Sequence, residues 1–384
     1  MKPVAPRVVN VTLAEREARL DALLAAEDAT AVWLARPDSF AWATDGGDSR
    51  VDRTAAVGEA AVGYLGDGTW RVLTNDIEAE RLAAEQLPPE LSASVVGDPW
   101  HETGLAGAVA ARTPEPALAD FPVAGLSEFD PTRLRLRLSA SDRERYRQLG
   151  SEVAAGVERV CRQLQPDDTE REVASALQVG LAGRGIDTPV VLVGGSERAP
   201  DYRHPTPTAG RLGSYALVAV TARRGGLYAS LTRTVAFGDA PEWLPERHAA
   251  ARRVETAAAA ATRRVATHRS SPTDDTEPGR AGVVFDAIRA AYTDVGHPGE
   301  WTAHHQGGAT GYAGREWIAT PDSDAPVVSP AAYAWNPTVQ GAKSEDTLLV
   351  EDGTVERLTA TGEWPTTTVT VDELSLERPD VLRR

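Results

Sequence analysis

A mixed α/β fold (of the α+β kind) in two domains is what this sequence predicts, on three observations. Helical and strand-like patterns alternate through the first third, the pattern changes near residue 138, and long helices then precede a run of strand signals. A chain of 384 residues also exceeds what one hydrophobic core comfortably fills, so two domains are the default expectation.

The elements follow in order. Leu20, Leu23 and Leu24 recur at helical spacing within Leu13–Glu27, and the short apolar run Ala31–Leu34 is a buried strand. Ala60–Leu65 and Thr69–Leu73 flank Gly66-Asp67-Gly68, a hairpin turn, and Ile77–Gln86 returns to helix. Around Asp130–Ser139 the leucines at 134, 136 and 138 alternate with arginines, and Ser141 with Glu144 has the spacing of a capping box that opens a long helix. The domains are therefore 1–138 and 139–384. A second capping box, Thr169 with Glu172, starts a helix to about Arg184, followed by a strand at Val190–Val193. Strands are expected at Tyr215–Thr221 and Leu227–Phe237, helices at Glu242–Thr267 and Arg280–Val295, and a polar loop at His268–Pro278 between them. Strands return at Ala331–Trp335, Thr347–Val350 and Val355–Leu358, the last two joined by the turn Glu351-Asp352-Gly353.

Composition narrows the function classes. Lys and Arg total 40 against 56 Asp and Glu, a net charge of −16, which argues against nucleic acid or an anionic membrane surface as partner. Lysine occurs only at Lys2 and Lys343, and an acidic, lysine-poor surface is the composition expected of a protein working in concentrated salt, a halophilic trait, because carboxylates keep the chain hydrated there. Cys161 is the one cysteine, so no intrachain disulfide forms, and its place in the helical run Val153–Leu164 marks it as a small buried hydrophobe. The opening segment MKPVAPRVVNVT lacks the apolar centre of a signal peptide, and no later stretch approaches the roughly 18 apolar residues of a membrane span. A cytoplasmic protein is expected.

Three segments carry the chemistry: Tyr228–Val235 (YASLTRTV), His304–Glu316 (HHQGGATGYAGRE), and Trp335–Pro337 (WNP) followed by Lys343–Thr347 (KSEDT). In order and spacing they resemble the metallopeptidase family that includes methionine aminopeptidase, prolidase, aminopeptidase P and creatinase. The resemblance covers roughly residues 138–360 and implies a pita-bread catalytic domain at 139–384, preceded by a domain at 1–138 similar to the N-terminal domain of creatinase and aminopeptidase P. It also implies a homodimer in which the small domain of one subunit caps the site of the other. The family's active peptidases hold two divalent metal ions with two aspartates, a histidine and two glutamates, a donor set suited to hard or borderline cations. Those positions fall at Ala219, Ser230, Gly308, Asn336 and Glu345 in this sequence. Only Glu345 keeps a ligand, so no metal and no other cofactor is expected.

Creatinase is the family's precedent for hydrolysis without metal, and the histidine in the equivalent neighbourhood is His204. An imidazole titrates near neutrality and can take and return one proton in a turnover, which makes His204 the candidate acid/base, with Glu345 and Asn336 positioning the reacting group. Glu345 and Asp346 are neighbours on a strand, so only one of them faces the site. Lys343, two residues from Glu345, shares its face and either pairs with it or holds a substrate anion; Arg315, where the family's peptidases keep a second histidine, can grip a carboxylate or phosphate bidentately. His304, His305, Ser230, Tyr312 and Glu316 are further candidate substrate contacts, and Tyr228 and Trp335 candidate pocket aromatics. The glycines at 307, 308 and 311 permit close backbone approach, but no Lys-Ser/Thr follows them, so this is not a phosphate loop. Arg233 is expected to support the fold.

These residues point to a metal-independent hydrolase of a C–N bond in a small polar compound. Two alternatives stand beside it: a pseudoenzyme of the same fold that binds a peptide, metabolite or protein, and a conventional metal-dependent Xaa-Pro aminopeptidase or dipeptidase.

Overall fold

Residues 11–268 and 279–384 are described by the computed structural model. They divide into two units, one running to residue 135 and taking in 139–143, the other made of 136–138 and 144–384. The expected loop at 268–278 lies outside the described residues except for His268, which ends a two-residue strand, Thr267–His268.

In the first unit a six-stranded mixed sheet has the order Val95–Asp98, Trp70–Asn75, Ala60–Tyr64, Ala31–Leu34, Ala117–Ala119, Ser127–Glu128. The hairpin pairs Ala60 with Thr74 through Tyr64 with Trp70, and its turn places Gly66, Asp67 and Gly68 all at positive φ, which the two glycines accept without steric cost. Trp33, Leu73, Val109 and Phe121 form the core on one side of this sheet. Gly63 belongs to that packing, since a Cβ there would come 2.6 Å from the Trp33 ring.

The long helix Ala140–Cys161 starts one residue before the expected box at Ser141, and its cap lies two residues before it. Ser139 is the cap: its Oγ accepts from Asp142 N–H at 3.1 Å, and the Asp142 carboxylate accepts from Ser139 N–H at 2.9 Å. The sequence offers Ser-x-x-Asp and Ser-x-x-Glu in overlapping frames; the earlier one wins because Arg16 also pairs with Asp142 at 3.2 Å, where both side chains are buried. The second box is formed as expected, with Thr169 and Glu172 exchanging bonds at the start of Glu170–Ala182. Such a cap stabilises its helix by about 1 kcal/mol.

The second unit contains two principal sheets. One has the order Leu382–Arg383, Leu227–Ala236, Tyr215–Arg224, Asp187–Gly195; the other has five antiparallel strands in the order Trp317–Ile318, Gly307–Thr310, Ala331–Trp335, Asp346–Glu351, Thr354–Arg357. The helices Leu244–Val265 and Ala281–Asp294 bury Val254, Ala258, Val284, Phe285 and Ile288 in one core with Tyr333, Trp335, Leu348 and Val350 of the five-stranded sheet. Cys161 is buried and free. A hairpin of Thr366–Val371 with Leu374–Pro379 follows, an element the sequence reading did not include. Among the described residues no helix is long and apolar enough to cross a membrane.

Candidate functional site

The two principal sheets of the second unit are joined at one seam. Thr232 N–H donates to the Glu345 carbonyl at 2.9 Å, and Ser230 N–H donates to Thr347 Oγ1 at 2.8 Å. Beside it lies a cavity of about 240 Å³, whose polar wall includes His204, His305, Arg315, Asn336, Lys343 and Glu345 and whose apolar wall includes Val190, Leu192, Ala219 and Ile318.

Glu345 immediately precedes the strand Asp346–Glu351, and the alternation of strand side chains sends the two acids opposite ways. Asp346 turns inward to Arg233 and Arg378. Glu345, itself buried, accepts from Lys343 Nζ and Arg315 Nη2, each at 3.1 Å, and from Thr232 Oγ1 at 2.9 Å. Burial opposes its charge, but Lys343, Arg315 and the Thr232 hydroxyl outweigh it and hold the carboxyl below its usual range. Two cations thus share one carboxylate, and the local charge is positive. Asn336 is buried against the cavity, and its Oδ1 has no hydrogen-bond partner among the described residues.

His204, His304 and His305 converge, with one nitrogen of each ring within 4.8 Å of the others. His204 Nε2 lies 2.9 Å from His304 Nε2, and the rings of His304 and His305 stack with centroids 4.3 Å apart. Burial and then the charges of Lys343 and its neighbours push His304 down to about 2; burial and Arg315 push His305 down to about 4. His204 is lowered by partial burial and by Lys343, with Glu345 opposing. All three are therefore neutral bases at pH 7.

The remaining candidates divide. Tyr228 lines the cavity. Ser230 is buried beside it, its Oγ 2.9 Å from Thr221 Oγ1. Tyr312 and Glu316, expected to contact substrate, are not among the cavity-lining residues: the Tyr312 hydroxyl accepts from Arg145 at 2.6 Å, and Glu316 Oε1 accepts from Ala313 N–H at 3.0 Å to hold its own turn. Trp335 is in the core rather than the pocket. Arg233 joins Glu158, Asp346 and the Thr359 carbonyl inside the unit. Thr232 is a functional contact that the sequence reading passed over, although its spacing of two from Ser230 puts it on the same strand face.

The positions matched to metal ligands carry little that could ligate. Ala219 is apolar wall. Gly308 sits where any side chain collides, because a Cβ there would come 2.1 Å from the Trp317 carbonyl oxygen.

Comparison with known proteins gives the context. The model of metallopeptidase family M24 matches residues 144–352. A search of curated proteins found no match. Among solved structures, the Xaa-Pro dipeptidase from Bacillus anthracis superposes with a TM-score of 0.71 at 15% identity, covering 97% of this chain and 100% of that one. The prolidase from Pyrococcus furiosus gives 0.67 at 16% identity, covering 89% and 99%. The N-terminal domain of a FACT complex subunit from chickpea, Cicer arietinum, gives 0.62 at 12% identity, covering 91% and 97%. Likeness at this level establishes the pita-bread fold, preceded by an N-terminal domain; activity has to be argued from the site.

Proposed function

The chain belongs to metallopeptidase family M24, and from that premise we propose that it hydrolyses a C–N bond in a small, polar, anion-bearing compound without the dinuclear metal centre of the family's peptidases. The observation that carries this reading is the pairing of Glu345 with both Lys343 and Arg315. At the one family ligand position that keeps its carboxylate, two side-chain cations already supply the compensating charge. The other four positions hold Ala219, Ser230, Gly308 and Asn336, which offer a hydroxyl and an amide where a dinuclear site needs carboxylates and an imidazole. These residues do not fit such a centre.

In this reading Lys343 and Arg315 attract the anionic end of the substrate, and Glu345 fixes both cations in place. Asn336 Oδ1, a buried acceptor without a partner, takes an N–H of the scissile amide or amidino group; leaving it unmet costs roughly 1–3 kcal/mol, which a ligand N–H recovers. His204, in the cavity wall, accepts a proton from water as that water attacks the carbon, and returns it to the departing nitrogen. The test is hydrolysis of small amide and amidino carboxylates with and without a strong chelator. Turnover that survives chelation and is lost in His204→Ala is expected. Turnover abolished by chelation, or retained in the variant, overturns the reading.

Binding without turnover is favoured by one observation: His204 Nε2 is engaged by His304 Nε2 at 2.9 Å, so one of its two nitrogens is occupied. Saturable binding of such compounds with no product formed would select that alternative.

A further inference from the structure

The three histidines form a constellation that the reading above uses only in part. His204 comes from the segment after the strand Asp187–Gly195, while His304 and His305 directly precede the strand Gly307–Thr310. Their ring centroids lie 4.3–5.7 Å apart. His304 is buried at the base, whereas His204 and His305 are exposed and leave the cluster reachable from solvent.

We propose that His204, His304 and His305 hold a single borderline transition-metal ion, of the Zn2+, Co2+, Ni2+ or Cu2+ type, at the wall of the cavity. Three nitrogen ligands of a tetrahedral ion with metal–nitrogen bonds of about 2.0–2.1 Å stand roughly 3.3–3.4 Å from one another. The nitrogens here already lie within 4.8 Å, with one pair at 2.9 Å, so ordinary side-chain rotation brings them to that spacing. The donor set is entirely imidazole. It therefore selects the borderline ions and rejects Mg2+ and Ca2+, which require oxygen ligands. Three protein ligands leave a fourth position open on the exposed side. The site is formed from residues other than the five matched to the family's dinuclear ligands, and its charge surroundings differ: Lys343 and Arg315 stand in the same cavity wall as His204 and His305 and oppose a cation, which weakens the site without removing its selectivity.

One consequence rests on the hydrolase reading. An ion bound here occupies the lone pair of His204, so it competes with the proton that His204 is assigned to carry, and the metal acts as an inhibitor.

The test is titration of tag-free, chelator-treated protein with Co2+, read by the visible absorption of the bound ion and by calorimetry. One ion per chain is expected, displaced by Zn2+ and not by Mg2+ or Ca2+. His304→Ala and His305→Ala should each weaken binding by roughly tenfold or more; His305 keeps solvent exposure, so its variant is the one expected to fold normally. Lys343→Met should tighten binding several-fold by removing a repelling charge, a change in the opposite direction that general loss of structure cannot produce. Absence of binding, binding unchanged in both histidine variants, or displacement by Mg2+ overturns the site. The absorption readout is independent of turnover. A Co2+ band that responds to these variants in a protein showing no hydrolysis leaves the site standing and sinks the hydrolase reading instead.

Discussion

Arg233 and Asp346 meet at 3.0 Å with both side chains excluded from water. They belong to a larger set: Arg233 also reaches Glu158 at 3.1 Å, and Asp346 pairs with Arg378 at 3.1 Å and accepts from Thr359 Oγ1 at 2.7 Å. Arg378 in turn pairs with Glu255. The network runs from the helix Ala140–Cys161 to the helix Leu244–Val265 through the two strands of the seam and the strand Leu374–Pro379, and so fixes the strand that follows Glu345.

Removing one partner leaves an uncompensated buried charge. Asp346→Ala should lower the free energy of unfolding by roughly 3–5 kcal/mol, read from the urea midpoint at constant slope. Retention of wild-type stability would show that the network is not what holds the seam.

Gly308 has no space for a side chain under the Trp317 carbonyl. Gly308→Ala forces that strand pair apart and should destabilise by about 1–3 kcal/mol, read as a lower thermal midpoint. Gly308→His, which would restore the family's ligand residue, should destabilise further and bind no additional metal by elemental analysis. A stable, metal-binding histidine variant would contradict the geometry.

Asp120 is buried in the first unit, its Oδ1 accepting from Ala35 N–H at 2.8 Å. Burial, only partly offset by bonds from Ala35, Ser39 and Arg36, pushes its carboxyl up to about 6. A raised folded-state pKa means stability that is fully present below the unfolded value near 4 and lost as pH rises through about 6. Wild type should lose roughly 2–3 kcal/mol relative to Asp120→Asn between pH 4 and pH 7, measured as the difference between the two unfolding curves at each pH. Parallel curves would refute the shift.

The net charge of −16 makes self-repulsion a general term against the folded chain. Raising KCl from about 0.1 M to 2 M shortens the screening length from about 10 Å to a few ångströms, so the thermal midpoint should rise steadily over that range. A midpoint that falls instead would remove the case for salt adaptation.

Most of the framework was legible because it depends on local pattern. The hairpin at residues 60–75 follows from glycines at positive φ between two apolar runs, and the Thr169 box from one cap spacing. Three strands of the five-stranded sheet were readable from short apolar runs and the Glu351-Asp352-Gly353 turn, where Asp352 and Gly353 both have positive φ, whereas the glycine-rich Gly307–Thr310 and the two-residue Trp317–Ile318 gave no strand signal. Where two cap spacings overlapped, at Ser139 and Ser141, the sequence pointed to Ser141 and the structure caps at Ser139, because the choice was made by Arg16, over a hundred residues away. The buried charges resisted reading for the same reason: Glu158, Glu255 and Arg378 look like surface residues until each finds a partner from another element. The hairpin from Thr366 to Pro379 escaped notice because its first strand has no buried residue and is mostly threonine, which gives no clear apolar alternation. At the site, Lys343 and Glu345 could be read together from their spacing, whereas the meeting of His204 with His304 spans a hundred positions and is produced only by the fold.

The scarcity of lysine has a chemical consequence at the cavity. Lys343 is buried against Glu345, and besides Lys2 no other side-chain amine exists in the chain. An amine-selective label followed by peptide mapping therefore isolates one atom of the site, Lys343 Nζ, with almost no background. The rate at which that atom becomes labelled reports how often the Glu345 pair opens, and protection by small carboxylates measures occupancy of the cavity without requiring the substrate to be known.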